Sequence, residues 1–166
     1  MEHNFEENLI SVCRLLEKHK VKYLLIGGTA VALNGYYRNS TNTSGELTEK
    51  PDIDIWYNPS YENYFNLLKT IEELGHDISN FKSEKNPNPR KSFFKLDFDH
   101  FSFDILPEIK ANIKFGEAYS RRNTIEIEEI QIHFLSYNDL IEDKKATART
   151  KDLRDIDQLK KLKDKK

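Results

Sequence analysis

A chain of 166 residues with 37% hydrophobic and 33% charged side chains can bury roughly 70% of its unfolded surface, so one globular domain is expected and a disordered chain is excluded. The formal net charge of −2 excludes the overall basic signature of a dedicated nucleic-acid binder. No apolar stretch approaches the roughly 20 residues that span a bilayer, and no leader is visible, so no membrane partner and a cytoplasmic location are expected.

Phe5, Leu9, Val12, Cys13 and Leu16 recur at helical spacing and predict a first helix over 4–19. Cys13, the only cysteine, lies on that apolar face. It has no disulfide partner and no Cys/His set spaced for zinc, so a buried core thiol is expected. Residues 21–26 form a short apolar run with β-branched ends, read as a buried strand. The Gly27-Gly28 pair breaks that strand, residues 29–34 read as a short helix, and Gly35 caps it. Residues 39–50 are nearly all small or polar and predict an exposed loop, of a length that is usually functional or mobile.

Residues 52–57 read as the next strand. Tyr61, Tyr64, Phe65, Leu68 and Ile71 then form a helical stripe ending at Gly75, and 79–91 reads as a loop around Asn-Pro-Asn-Pro-Arg. Alternation at Phe94, Leu96 and Phe98, a turn at Asp99-His100, and alternation at Phe101, Phe103 and Ile105 predict a hairpin closed by Pro107. A weaker hairpin, 124–127 with 131–134, turns through Glu128-Glu129. Ser136 is placed to cap a helix over 137–148, with Asp139 positioned for a capping box. A last amphipathic helix covers 152–163. No internal repeat is evident. The order predicts an α/β (α+β) fold, a small mixed β-sheet backed by helices, with a core over 1–135 and a C-terminal helical segment over 136–166 packed on the same domain.

Chemistry concentrates in three carboxylates. Side chains alternate along a strand, so Asp52 and Asp54 share one face while Ile53 and Ile55 take the other. Two carboxylates about 7 Å apart repel unless a cation sits between them, and Mg²⁺ takes such hard oxygen ligands together with substrate phosphates. On its own, Asp-Ile-Asp is more simply a solvated strand face. Gly27-Gly28 and the Thr29 hydroxyl stand between a strand and a helix, where backbone N–H groups can approach phosphate; an ordinary turn reads the same way. Asp104 lies opposite a Phe/Phe/Ile face, either exposed to solvent or aimed into a polar site. If its strand neighbours that of Asp52 and Asp54, the three could hold two metal ions roughly 4 Å apart. Asp97 and Asp99 compete with Asp104, though Asp99 falls in the hairpin turn.

With these residues in hand, the chain resembles the minimal nucleotidyltransferases of the DNA polymerase β superfamily, and within it toxin-type and unassigned bacterial members. The resemblance runs from Tyr23 through Ile26-Gly27-Gly28-Thr29-Ala30 to Leu33, Gly35 and Arg38, then to Asp52-Ile53-Asp54-Ile55. A second block holds Asp139-Leu140-Ile141, Lys144, Ala146, Arg149 and Lys151-Asp152-Leu153-Arg154-Asp155. The resemblance implies nucleotidyl transfer from a nucleoside triphosphate such as ATP to a hydroxyl of RNA, protein or a small molecule. It implies Asp52, Asp54 and Asp104 as catalytic and metal-binding residues for Mg²⁺, two ions, or Mn²⁺. It implies Gly27, Gly28, Thr29, Arg38, Lys144 and Arg149 as the nucleotide-binding set. A toxin–antitoxin setting, with tRNA or protein as acceptor and an antitoxin or a second copy as partner, goes with the toxin-type relatives. In the family the arginine stands about four residues before the first aspartate and is followed by Ser or Thr. Here the polar segment separates Arg38 from Asp52.

Two other functions fit the residues. A protein of this fold that has lost turnover could bind or regulate a partner. A small RNA-binding protein could use Arg121-Arg122 and the lysines of 160–166, although terminal lysines also simply complement a helix dipole. Arg149 or Lys151 could equally pair with Asp152 or Asp155 at helical spacing.

Overall fold

The computed structural model describes residues 2–36 and 50–165. Arg38, and all of the polar segment except Lys50, lie outside the described residues. A first helix, α1 (Glu2–Lys18), leads into β1 (Tyr23–Ile26), which runs directly into α2 (Gly27–Leu33). The glycine pair therefore begins the helix, whose expected start is 29. β2 (Asp52–Tyr57) and α3 (Tyr61–Glu73) follow. Ser60 caps α3 by accepting the Asn63 N–H at 3.2 Å.

The segment 79–91, expected to be a loop, carries a one-turn helix α4 (Ser79–Lys82) and a 3₁₀ turn at Pro89–Lys91. Such single turns have too few residues to show periodicity. The hairpin β3 (Phe94–Asp97) and β4 (Ser102–Leu106) forms as the alternation predicts. An unpredicted helix α5 (Phe115–Ser120) comes next, short, interrupted by Gly116 and without a side-chain cap. β5 (Asn123–Ile127) and β6 (Ile130–Phe134) form the second hairpin. Its turn residues Glu128 and Glu129 both adopt left-handed backbone, φ 51° and 67°. Two helices, α6 (Tyr137–Thr147) and α7 (Thr150–Asp164), complete the chain. The Ser136 hydroxyl caps α6 as expected, accepting from Asp139 N. The Asp139 carboxylate, however, takes two bonds from Arg121, at 3.1 Å each, rather than closing a capping box.

The six strands form one mixed sheet in the order β3-β4-β2-β1-β6-β5. β2 pairs in parallel with β4 and antiparallel with β1, while β1 pairs in parallel with β6. One face buries Ile53, Ile55, Tyr57, Phe103 and Ile105 against α1 and α3, through Leu9, Val12, Cys13, Leu16, Tyr64, Leu67 and Leu68. Cys13 is buried there, as expected, and burial pushes its thiol up to about 12. The α3 stripe differs in part from expectation, since Tyr61 and Phe65 are exposed and Leu67 takes a core position. The second face buries Leu24, Ile26 and Trp56 against Leu140 and Ile141 of α6 and Ile156 and Leu159 of α7. The C-terminal helices thus share a core with the middle of the sheet, and it is on their side that the carboxylates stand. Among the described residues no helix is long and apolar enough to cross a membrane.

Candidate active site

The three carboxylates are brought together by strand pairing. The β2–β4 register sets Asp52 beside Ser102 and Asp54 beside Asp104. Residues directly opposite in neighbouring strands put their side chains on one face, with strands about 4.8 Å apart. β1 sets Ile26 opposite Asp54, and β3 sets Lys95 opposite Asp104. A single rung therefore reads Ile26, Asp54, Asp104, Lys95 across four strands. The next rung reads Asp52, Ser102, Asp97.

Gly27 follows Ile26 and adopts φ +62°. A Cβ there would lie 2.5 Å from Asp54 Oδ2, so only glycine lets the chain turn from strand to helix against that carboxylate. Gly28 is half-buried in the first turn of α2, which has no side-chain cap. Thr29 is placed differently from the phosphate contact that the resemblance implies. It is 1% exposed, and its hydroxyl donates to the backbone carbonyl of Asp52 at 3.2 Å, tying α2 to β2.

Charge at the site is unbalanced toward the negative. Burial, then the Asp104 and Asp52 charges, then the hydrogen bond with Asp104, push the Asp54 carboxyl up to about 7, against a downward pull from Lys144. Burial also raises Asp104, helped by Asp52 and opposed by Lys95. Asp52 is exposed and accepts a hydrogen bond from the Ser102 hydroxyl. Asp97, on the same sheet face, is held by Lys50, which also donates to the Phe98 carbonyl at 2.8 Å.

Lys144 and Arg149 reach this face from α6 and the start of α7, but both are engaged. Lys144, 3% exposed, donates to Asp152 Oδ1 at 3.1 Å and pairs with Asp155 Oδ2 at 3.2 Å; both acids are 0% exposed. Arg149 grips the same Asp152 through Nε at 2.7 Å, and its backbone N–H closes the α7 cap on that carboxylate at 3.1 Å. Burial works against the Asp152 charge, yet the bonds from Arg149, Thr147 and Lys144 hold it well below the usual carboxylate range. The i, i+3 pairing of Arg149 with Asp152 is the alternative that helical spacing suggested. The cation between two fully buried acids was not legible, because Lys144 meets them across two helices.

Arg121 and Arg122, read as a basic patch, are likewise invested in the fold. Arg121 binds Asp139, while Arg122 lies 3.9 Å over the Tyr119 ring and donates to the Tyr119 carbonyl at 2.9 Å.

Whether this face suits a metal is decided by its donor set. Among the described residues, no three acidic, histidine or cysteine side chains already stand in ligating positions. As they stand, Asp54 bonds to Asp104 and Asp52 to Ser102. Hard carboxylate oxygens gathered on one sheet face are nevertheless the donor type that Mg²⁺ accepts. In donor type, though not in their present arrangement, these residues suit such an ion.

No protein-family model matches the chain, and no curated protein matches its sequence. Solved structures do share its fold. A Thermotoga maritima protein assigned as a nucleotidyltransferase superposes with a TM-score of 0.57 at 17% identity, over 100% of this chain and 96% of its own. The lincosamide antibiotic adenylyltransferase LnuA gives 0.55 at 18%, over 93% and 96%. The antibiotic-resistance factor ANT(2'')-Ia gives 0.55 at 16%, over 94% and 83%. The chain has the nucleotidyltransferase fold, with its mixed sheet and flanking helices.

Proposed function

We propose that this chain is a metal-dependent nucleotidyltransferase that moves a nucleoside monophosphate from a triphosphate to a hydroxyl. The observation that carries the proposal is the rung joining Asp54 to Asp104, with Gly27 pressed against Asp54. Asp52, Asp54 and Asp104 would hold Mg²⁺ or Mn²⁺. When bound, the cation supplies positive charge to the triphosphate and to the leaving pyrophosphate.

In the reaction the acceptor oxygen forms a bond to the α-phosphorus, the bond from that phosphorus to the bridging oxygen breaks, and pyrophosphate leaves with that electron pair. The acceptor proton passes to the Asp104 carboxylate. Gly27 and Gly28 keep the start of α2 free of side chains so that phosphate oxygens can approach backbone N–H groups. Arg38 is proposed as a further phosphate contact. Lys144 and Arg149 act chiefly by their field at Asp54 and by fixing α7, since Asp152 engages both.

The fold neighbours LnuA and ANT(2'')-Ia are named for antibiotics, which sets small-molecule hydroxyls beside RNA and protein as acceptors. The test incubates the protein with each α-labelled triphosphate, Mg²⁺ and, separately, total RNA, protein extract or small polyols. Label is expected on one acceptor class and absent with Asp54→Asn, at a cost of about 10²–10³ in rate or more. Growth arrest on expression, abolished by the same substitution, would assign a toxin role. A second reading, a binding protein without turnover, is favoured by the carboxylates being satisfied by Ser102 and by one another. Triphosphate binding without label transfer to any acceptor would select it.

A further inference from the structure

The rung that carries Asp54 and Asp104 ends in a residue to which the sequence assigned nothing. Lys95 sits opposite Asp104 on β3, the outermost strand on that side of the sheet. Its side chain is exposed, and among the described residues it has no salt-bridge partner within bonding distance. Its neighbour along the strand on the same face, Asp97, is already paired with Lys50. The nearest charged group opposite Lys95 is Asp104, whose carboxyl feels its field.

The order along the rung gives direction to the site. The glycine turn and the start of α2 adjoin Asp54 on the β1 side, whereas Lys95 adjoins Asp104 on the β3 side. In a displacement at phosphorus the attacking and leaving oxygens lie roughly in line on opposite sides. If the triphosphate lies against the glycine turn, the acceptor comes from the sheet edge where Lys95 stands.

We infer that Lys95 is the acceptor-binding cation of this site, and that the acceptor carries a phosphate close to its reacting hydroxyl. The inference rests on the nucleotidyl-transfer reading for its direction. A lysine whose backbone is about one strand spacing from that of the base carboxylate can hold a phosphate oxygen while the neighbouring hydroxyl faces Asp104. A small phosphorylated polyol and the end of a ribonucleotide chain share this chemistry. An edge-strand lysine also blunts sheet-to-sheet association; that role is indifferent to ligand and separates in the test below.

The experiment measures binding by calorimetry or NMR titration to wild type, Lys95→Met, Lys95→Arg and Lys95→Glu. The probes are glycerol 3-phosphate, glycerol, and a short single-stranded RNA with a free 3′ hydroxyl; Mg²⁺ with a non-hydrolysable triphosphate is the control. Lys95→Met is expected to lose about tenfold in affinity for a phosphorylated probe, the scale of one charged contact, and Lys95→Glu more. Lys95→Arg should retain it with triphosphate affinity as in wild type, and in Lys95→Met any change in triphosphate affinity should be far smaller than the change in probe affinity. Loss confined to glycerol 3-phosphate identifies a small acceptor, and loss confined to RNA a chain end. The inference is overturned by wild type that binds no phosphorylated probe, by Lys95→Met binding as wild type does, or by glycerol binding as well as its phosphate. A triphosphate affinity that falls with the probe affinity also overturns it. Absence of triphosphate binding in wild type sinks the nucleotidyl-transfer reading instead, and the control arm reports that separately.

Discussion

Gly27 concentrates structural and functional demand in one position. Its backbone is left-handed, and any Cβ would press on the Asp54 carboxylate. Gly27→Ala should therefore cost about 1–2 kcal/mol for the left-handed backbone, read by urea unfolding. It should cost proportionately more in triphosphate binding, because the cheapest relief is to swing Asp54 aside. Alanine that leaves both unchanged would show that the turn is not built around that carboxylate.

Asp54 itself sets a pH dependence whose sign follows from its raised carboxyl. A group that holds its proton more tightly in the fold than in the unfolded chain contributes stability fully below its unfolded value. That contribution is lost as pH rises through the folded value. For Asp54 the window runs from 3.8 to about 7. Without metal, the protein should lose on the order of 4 kcal/mol across that window, seen as a falling Tm in EDTA. Asp54→Asn should flatten the profile and be the more stable protein at pH 8, while Mg²⁺ should stabilise the wild type more at pH 8 than at pH 5. An Asn variant that follows the wild-type profile would remove Asp54 as its source.

At the scale of elements, the union of α6 and α7 depends on a cation between buried acids. Lys144 is almost fully buried between Asp152 and Asp155, neither of which touches solvent. Removing one partner of such a cluster leaves uncompensated charge in the interior, so Lys144→Met is expected to cost about 3–5 kcal/mol in urea unfolding. Adding Asp155→Asn should recover part of that loss. A loss below about 1 kcal/mol would show that solvent reaches the cluster.

Elements also mark what could be read in advance. The two hairpins and the long helices α1, α3, α6 and α7 were legible because period-2 and period-3.6 patterns repeat over enough residues to stand out. α5 was not, since six residues with an internal glycine offer about one and a half turns of pattern. The 128–129 turn was located correctly, but its left-handed glutamates are residues the sequence would not nominate for such a conformation.

For the whole molecule, one sheet joins two apolar clusters, and the second includes α6 and α7 together with the central strands. Trp56, the only tryptophan, lies in that second cluster, edge-on to Phe115, with its indole N–H donating to the Pro107 carbonyl at 3.1 Å. It therefore reports on the layer formed by the C-terminal helices, whereas far-UV circular dichroism reports on all elements. Urea transitions by Trp56 fluorescence and by circular dichroism should coincide, as for one cooperative unit. A separate early fluorescence change would show that the C-terminal helices come away first.

Which residues could be neighbours on a face follows from local pattern alone. Alternation put Asp52 with Asp54 and Ser102 with Asp104, each opposite a run of core side chains, because a strand has a period of two whatever it pairs with. Register and strand order belong to the tertiary structure alone. They place Asp54 beside Asp104 and Lys95 at the end of the same rung, and they commit the Thr29 hydroxyl to the Asp52 carbonyl. They also bury Lys144 between two acids from another helix. These contacts join residues 8 to 50 positions apart, and their partners are chosen by how the two sheet faces fill with side chains, which no local pattern encodes.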